Sequence, residues 1–164
     1  AAVMAAHVTR WGGRPLHFGC AVALSGRFGL DLDLEALSDG ERQVCQAAIV
    51  VARRLQPLVQ QGELIRLVSP TEGADRSRAA LAYVGEDRSE AVLFAYQLEV
   101  AHVAGPTLTL QWLNPEVTYE VRATDLVLGS DPVVTQLLGS QLIAGIEWPL
   151  TEPETARIFE ITRL

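Results

Sequence analysis

The sequence predicts a mainly β protein with one long helix, in which terminal strands and a last helix like those of a (β/α)8 barrel precede an antiparallel β-sandwich. Three observations support this prediction. Residues 38–62 have the apolar spacing of an amphipathic helix. Two apolar runs precede them in the order strand, loop, strand, loop, helix, which resembles the closing units of an α/β barrel. After residue 62, apolar residues alternate with a period of two in short segments separated by turns, as in a β-sandwich.

The predicted helix begins at a capping box. Ser38 precedes Glu41 at the spacing at which the serine oxygen accepts from a helical N–H while the glutamate bonds back. One apolar face then follows with helical periodicity, formed by Val44, Ala48, Val51, Leu55 and Leu58. Because Pro57 lacks an N–H, we expect the regular helix to kink or end near Leu55. Gly62 is placed to close the last turn in a left-handed conformation.

Two strands are predicted before the helix, at residues 3–8 and 18–24. The second run is continuously apolar, which is typical of a strand buried on both faces. The glycines and proline of residues 9–15 predict a loop, and residues 25–29 predict a turn. The first residues lack the charged region and the length of a signal peptide. We therefore expect the given sequence to begin within a strand.

The part after residue 62 predicts strands throughout. We expect them at residues 63–68, 79–84, 90–100, 107–112, 117–122 and 157–162, with one or two more within 136–148 and a hairpin connection at 85–89. In the strand at 90–100, Val92, Phe94 and Tyr96 share a face that must meet a core, whereas Gln97 takes the opposite face. The predicted division is therefore a barrel end over residues 1–62 and a sandwich domain over residues 63–164.

Composition limits the classes of partner. The formal net charge is −7 with the acids spread along the chain, which argues against a nucleic acid or an anionic membrane surface as partner. No apolar run approaches the length of a membrane-spanning helix. The two cysteines, Cys20 and Cys45, do not make a disulfide framework. We interpret them as buried, reduced thiols, which favours a cytoplasmic protein.

Candidate catalytic groups are few. Asp31 and Asp33 are two residues apart, so in an extended chain their carboxylates lie on one face, as an acid/base pair would require. The alternative, which we favour, is a solvated approach to the helix N-terminus, where the helix dipole stabilises acids. The three histidines, at positions 7, 17 and 102, lack the short spacing of zinc ligands, and we predict no metal and no cofactor. Trp11, in a loop rich in glycine and proline, is a candidate for stacking on a sugar ring.

Several segments together resemble one enzyme family. They are Val-Met-Ala-Ala-His-Val at 3–8, Phe-Gly-Cys-Ala-Val-Ala-Leu-Ser-Gly-Arg-Phe-Gly-Leu-Asp-Leu-Asp-Leu at 18–34, Leu-Ser-Asp-Gly-Glu at 37–41, Arg-Leu-Gln-Pro-Leu-Val-Gln-Gln-Gly-Glu-Leu-Ile-Arg-Leu-Val-Ser-Pro at 54–70, and the hairpin at 80–94. This pattern is similar to the C-terminal portion of the alpha-galactosidases, or melibiases, of glycoside hydrolase family 36. A fainter match follows at 113–121, and the resemblance covers most of the chain.

The resemblance implies a retaining glycosidase that removes terminal alpha-galactosyl residues from oligosaccharides with two aspartates. In this family the aspartates lie on earlier barrel strands, in the motifs Lys-Trp-Asp and Ser-Asp-Asp-Thr-Asp, and neither motif occurs here. We therefore expect this chain to be a structural, noncatalytic fragment that is inactive alone. In a full-length enzyme, Arg10, Trp11, Arg27 and Phe28 are implied to lie near the substrate.

One function from another class stays open, namely a stand-alone sugar-binding β-sandwich module without hydrolase activity. The apolar run and capped helix at 18–62 favour the enzyme fragment, since a stand-alone module would not contain part of a catalytic barrel. If the barrel strands are present without their neighbours, their edges and apolar faces need cover. The predicted partner is the remainder of the barrel or a second copy of the chain, and for the isolated chain we expect a homo-oligomer with residues 1–35 at or near the interface.

Overall fold

The computed structural model describes residues 5–10, 12–71, 76–127 and 129–164. Helices and strands alternate in the first part, and strands dominate afterwards. The elements are β1 (Ala5–Val8), α1 (Leu16–Leu24), β2 (Arg27–Leu30), α2 (Asp39–Gln61), β3 (Glu63–Val68), β4 (Arg78–Val84), β5 (Glu90–Gln97), β6 (Thr118–Thr124), β7 (Val133–Leu138), α3 (Gly139–Ala144) and β8 (Thr155–Arg163). None of the described helices has the length and apolar character needed to cross a membrane.

A parallel strand pair, β1 and β2, is joined through α1. Ala5 lies opposite Arg27 and Val8 lies opposite Leu30. The strand predicted at 3–8 is confirmed for residues 5–8, while its first two residues lie outside the described part. The turn predicted at 25–29 is only partly correct, because β2 already begins at Arg27.

The apolar run at 18–24 is wrong as a strand and instead forms most of α1. Periodicity cannot distinguish a fully buried strand from a buried helix when every residue is apolar. The run contains Ala21 and Ala23, and alanine is the strongest helix former. Pro15 immediately precedes the helix with φ −55°, where a residue without an N–H removes no helical hydrogen bond.

The capping box of α2 is confirmed, but the end of the helix differs from the prediction. Ser38 accepts a hydrogen bond from the backbone N–H of Glu41, whose carboxylate accepts from the backbone N–H of Ser38. The helix continues past Pro57 to Gln61, because Leu58 and Val59 are buried and their burial offsets the one missing backbone bond. Gly62 is extended, with φ −68° and ψ 158°, so it is not left-handed.

Gly62 is needed for close packing. A Cβ there would lie 2.6 Å from the carbonyl oxygen of Leu58 and 3.0 Å from that of Val84. The chain therefore passes from α2 to β3 at a point where only glycine fits without displacing backbone.

The larger sheet has six antiparallel strands in the order β3-β4-β5-β8-β6-β7. The mainly β character and the hairpin between β4 and β5 are thus confirmed. The strand predicted at 107–112 is wrong, since only Leu108 makes an isolated bridge, to Ile146. Within 136–148, the prediction of one or two strands is confirmed only for residues 136–138, the end of β7, and the short helix α3 follows them.

Both faces of the sheet are covered, which gives a sandwich-like layering. On one face, Val92, Phe94 and Tyr96 pack against α1, α2 and the strand pair. On the other face, Leu93 and its neighbours pack against a layer of loop and short helix that includes Leu110 and Leu142. In the second layer, Leu108 exchanges two backbone hydrogen bonds with Ile146 and Leu110 donates to Leu142, which makes an isolated bridge and no continuous ladder.

The expectation that Gln97 faces away from a core is wrong, because its side chain is fully buried. Its amide donates to the carbonyl oxygens of Ser77 and Glu99 at 3.1 and 2.7 Å, and its oxygen accepts from the indole of Trp148 at 2.9 Å. The sequence alternation was correct about Val92, Phe94 and Tyr96 but could not reveal the second layer.

The helical layer is bound to the sheet by polar contacts as well as by the shared core. The hydroxyl of Tyr83 donates to the carbonyl oxygen of Ser25 at 2.6 Å. Arg54 of α2 makes two hydrogen bonds to Glu160 of β8, the longer being 2.7 Å. Residues on both sides of position 62 therefore contribute to one core, and the division into 1–62 and 63–164 stays a prediction.

The two cysteines are free and buried. Cys20 lies on α1 rather than on a strand, and Cys45 lies on α2. Burial raises the pKa of Cys20 to about 12, with a further contribution from the neighbouring Cys45 thiol. Both thiols are therefore protonated at neutral pH, as expected of inert, structural cysteines.

Candidate functional site

The carboxyl ends of β1 and β2 lie side by side. Val8 ends β1 and Leu30 ends β2 in matched register, and the N–H of Asp31 donates to the carbonyl oxygen of Val8 at 2.9 Å. The chain segments that leave the two strands, beginning at Thr9 and Asp31, therefore start from one edge. In α/β structures this edge is where ligands bind, so it is the candidate functional site of the chain.

Arg10 anchors the loop after β1 to the start of α2. Its guanidinium lies 2.8 Å from the carboxylate of Glu41, the same carboxylate that accepts from the backbone N–H and the hydroxyl of Ser38 at 2.8 Å each. The Arg10 hydrogen bond and then the Ser38 bonds lower the pKa of Glu41 to about 2. The sequence contains the Ser38–Glu41 spacing, but nothing in it points to Arg10 as the third member.

The four residues predicted near the substrate do not lie together. Arg10 follows β1 at the carboxyl edge, whereas Arg27 begins β2 at the opposite edge, paired with Ala5. Phe28 packs against the helical core from the inner face of β2. Trp11 lies outside the described residues.

One face of the strand pair is covered by the helices and the other face is exposed. Val8, Phe28 and Leu30 contribute to the core beneath α1 and α2, so by strand alternation His7 and Arg27 belong to the other face. Both side chains are exposed. The imidazole of His7 lies against Gly29, where an added Cβ would come within 2.7 Å of it.

A cavity opens at each outer side of the pair. One, of about 190 Å³, lies between β1 and α1, and its lining includes Thr9, Arg14 and Val22 but no residue of β2. The other, of about 170 Å³, lies between β2 and α2, and its lining includes Phe28 and Arg53 but no residue of β1. The strand pair is thus open on one face and beside both outer edges in the part of the chain that the structure describes.

The acidic residues after β2 lie in solvent on the approach to α2, which is the alternative favoured from the sequence. Asp31 and Asp33 are both exposed, and Asp33 accepts a hydrogen bond from the N–H of Glu35 at 3.0 Å, a local turn that leads towards α2. Within the described ranges, no group of three or more His, Cys, Asp or Glu side chains is placed to hold a metal ion.

Comparison with known proteins identifies the class of enzyme to which this arrangement is related. The chain is 36% identical over 117 residues to alpha-galactosidase 1 of Pediococcus pentosaceus, a match that covers 70% of this chain and 15% of the relative. It is 42% identical over 110 residues to alpha-galactosidase C of Emericella nidulans, which covers 65% of this chain and 14% of the relative. No family model matches the chain.

Solved structures give the same class over nearly the whole chain. The family 36 alpha-galactosidase AgaA of Geobacillus stearothermophilus, crystallised with raffinose, has a TM-score of 0.79 and 28% sequence identity to this chain, covering 98% of this chain and 22% of that one. AgaB of the same organism gives a TM-score of 0.79 at 29% identity.

The chain therefore belongs to glycoside hydrolase family 36 and corresponds to a C-terminal portion of its alpha-galactosidases. It spans about 15% of the length of the curated relatives that it matches. The resemblance predicted from the sequence is confirmed.

Proposed function

We propose that this chain is the structural, noncatalytic C-terminal portion of a retaining alpha-galactosidase that hydrolyses terminal alpha-galactosyl residues of oligosaccharides. The main support for this proposal is the order and packing of the first four elements. The order β1, α1, β2, α2, with parallel strands and both helices on one face, is that of two consecutive units of a (β/α)8 barrel. The relatives named above supply the enzyme class.

The distribution of carboxylates supports a noncatalytic role. A retaining glycosidase holds two carboxyl groups about 5 Å apart on either side of the sugar, and a barrel presents them from the ends of different strands. At the carboxyl edge of this pair, Glu41 is held by Arg10 and Ser38, and Asp33 by a local turn. Both carboxylate oxygens of Glu41 are engaged in these bonds and one oxygen of Asp33 is bonded in the turn, which supports structural roles for the two groups.

The same geometry ranks the residues that we propose near the substrate of a full-length enzyme. Arg10 follows β1 at the carboxyl edge, where the active sites of barrel enzymes lie. Arg27 begins β2 at the other edge and Phe28 faces the helical core. We therefore propose direct contact for Arg10 and an indirect, positioning role for Arg27 and Phe28. For Trp11, the next residue in the sequence, we keep the contact with substrate that the resemblance implies.

The partner that we propose is the remainder of the barrel. It would cover the exposed face that carries His7 and Arg27 and would fill the cavities beside β1 and β2. Where that part is missing, a second copy of the chain would cover residues 1–35 and produce a homo-oligomer. The free thiols of Cys20 and Cys45 support a reducing, cytoplasmic location.

The test is an activity assay on the purified chain. We expect no release of nitrophenol from an aryl alpha-galactoside above the buffer rate, under conditions in which full-length AgaA turns the substrate over. Turnover that copurifies with the chain, and is lost in Asp31→Asn or Asp33→Asn, would overturn the noncatalytic assignment.

Calorimetric titration of the same sample with raffinose distinguishes the two candidate functions, an enzyme fragment and a stand-alone sugar-binding module. The fragment proposal predicts no measurable heat of binding, because the barrel that encloses the sugar is incomplete. Saturable binding without hydrolysis would instead favour the stand-alone module.

A further inference from the structure

The two edges of the six-stranded sheet differ in how well they are protected. The edge strand β3 carries Glu63 and Arg66, and its register with β4 is interrupted by an irregularity between Arg66 and Val68. Charges and bulges of this kind discourage pairing with another chain. The edge strand β7 has the sequence Val-Val-Thr-Gln-Leu-Leu, without a charge, and pairs with β6 in unbroken register.

Side chains of β7 are exposed on both of its faces. Val133 is 66% exposed, Val134 is 47% exposed and Leu138 is 45% exposed. A flat, uncharged edge strand with exposed apolar side chains is a template for a further strand.

The hydrogen bonds around β7 show which of its backbone groups are free. Gly139 donates to the carbonyl oxygen of Val117 at 2.7 Å. In an antiparallel ladder the backbone groups of alternate residues point to the same side, so those of Thr135 and Leu137 point towards β6. Those of Val134 and Gln136 point away from the sheet.

Two further bonds agree with this assignment. The N–H of Leu138, which by the same alternation points outward, donates to the side-chain oxygen of Gln141 at 2.8 Å. The carbonyl oxygen of Thr118, directly across from Leu138, accepts from Leu164 on the opposite side of β6. The outer edge of β7 thus offers the N–H and C=O of Val134 and Gln136 and no N–H of Leu138.

We propose that a second copy of this chain docks on β7, with the two β7 strands antiparallel about a two-fold axis at Thr135. In this register Val134 lies opposite Gln136 of the partner subunit, and the reverse pair follows by symmetry. Each pair exchanges two backbone hydrogen bonds, which uses the N–H and C=O of Val134 and Gln136 in both copies. The two six-stranded sheets become one.

The sequence of β7 is complementary to itself in this register and in no neighbouring one. Val133 lies opposite Leu137 of the partner subunit, and the Thr135 side chains face each other across the axis, where threonine pairs are favourable. Pro132, which has no N–H, falls opposite Leu138, whose N–H is already bonded within its own chain. A shift that centres the axis on Gln136 would instead require that N–H.

Charge selects the β7 edge among the surfaces on which a second copy could dock. The chain carries a net charge of −7, so two copies repel each other over most of their surface at low ionic strength. The uncharged β7 edge offers an approach without directly opposed acids. We expect a reversible dimer of small interface, which strengthens as salt screens the net charge.

Sedimentation equilibrium of the full chain over a range of concentrations tests the proposal. Thr135→Lys and Thr135→Glu each place like charges across the axis, so each is expected to weaken the dimer by about tenfold or more. An equimolar mixture of the two variants places opposite charges there and is expected to restore association.

The matched control is Leu64→Lys, since Leu64 is 44% exposed on the other edge strand. It should leave association unchanged, and circular dichroism should report the same fold for all variants. A wild-type chain that is monomeric at every concentration would overturn the proposal. So would association that Thr135→Lys and Thr135→Glu leave as strong as in the wild type, since contact through residues 1–35 alone would then account for it.

Discussion

The six-stranded sheet and the parallel strand pair differ in how completely this chain covers them. β5 is paired on both sides, by β4 and β8, and both of its faces are buried. Among the described residues β1 and β2 pair only with each other, and one of their faces is exposed. The central strands of the larger sheet thus have their backbone bonds and both faces satisfied within this chain, whereas the strand pair leaves one face and its outer edges open among the described residues.

The largest effect is expected where the two regions meet. Phe94 is fully buried between the sheet and the helical layer and packs edge-on against Tyr83, with ring centroids 6.4 Å apart. Phe94→Ala should lower the free energy of unfolding by about 3–5 kcal/mol, because it leaves a cavity in the shared core. Chemical denaturation measures this loss.

Val103→Ala is the control for Phe94→Ala, since Val103 is a large apolar residue on the surface and should change stability by less than about 0.5 kcal/mol. Equal losses for the two variants would mean that the sheet and the helical layer are not joined through Phe94.

The next effect concerns the other face of the larger sheet. Gln97→Ala removes the acceptor of the Trp148 indole and the donor to the carbonyl oxygens of Ser77 and Glu99. The Ser77 oxygen keeps the N–H of Leu98, but the Trp148 indole N–H loses its acceptor. We expect the free energy of unfolding to fall by about 1–3 kcal/mol. Urea denaturation measures this loss beside the control Gln46→Ala, since Gln46 is exposed on α2.

A smaller effect is expected in the helical part. Ser38→Ala removes the side-chain acceptor for the N–H of Glu41 and should destabilise the chain by about 1 kcal/mol. Ser38→Thr retains a capping oxygen and should stay close to the wild type. If thermal denaturation ranks the two variants equally, the cap makes no net contribution.

The smallest effect is a pH dependence at the carboxyl edge of the strand pair. The Arg10 and Ser38 bonds lower the folded-state pKa of Glu41 from 4.5 to about 2. A lowered carboxyl pKa adds stability above the unfolded value that is lost as the pH falls through the folded value, here between 4.5 and about 2. The melting temperature of Glu41→Gln should therefore approach that of the wild type as the pH falls through this window. A constant difference would show that Arg10 and Glu41 do not interact.

The sequence predicted elements where periodicity and capping act locally. The start of α2 at Ser38 and the buried face of β5 with Val92, Phe94 and Tyr96 agree with the structure. The strand at 18–24 was wrong because an unbroken apolar run has no period to measure. Pro57 was misjudged because burial of Leu58 and Val59 outweighs one lost backbone bond.

The candidate site was less predictable than the fold. Arg10 was named, but its bond to Glu41 joins residues 31 positions apart, and no local pattern encodes such a contact. Arg27 and Phe28 were placed in a loop, whereas β2 begins at Arg27, so the predicted cluster spans both ends of a strand. Gln97 was misplaced for the same reason, since its cover comes from a layer that is distant in sequence.

Hydrogen exchange of the isolated chain, at a concentration where it is monomeric, distinguishes the larger sheet from the strand pair. Amides of β5 and β8 should exchange only through global unfolding, with a steep denaturant dependence, because their surroundings are complete. Amides of β1 and β2 should exchange much faster, through local opening with a shallow dependence. The same rate and the same denaturant dependence in both sets would show that the strand pair is as complete as the larger sheet and needs no neighbour.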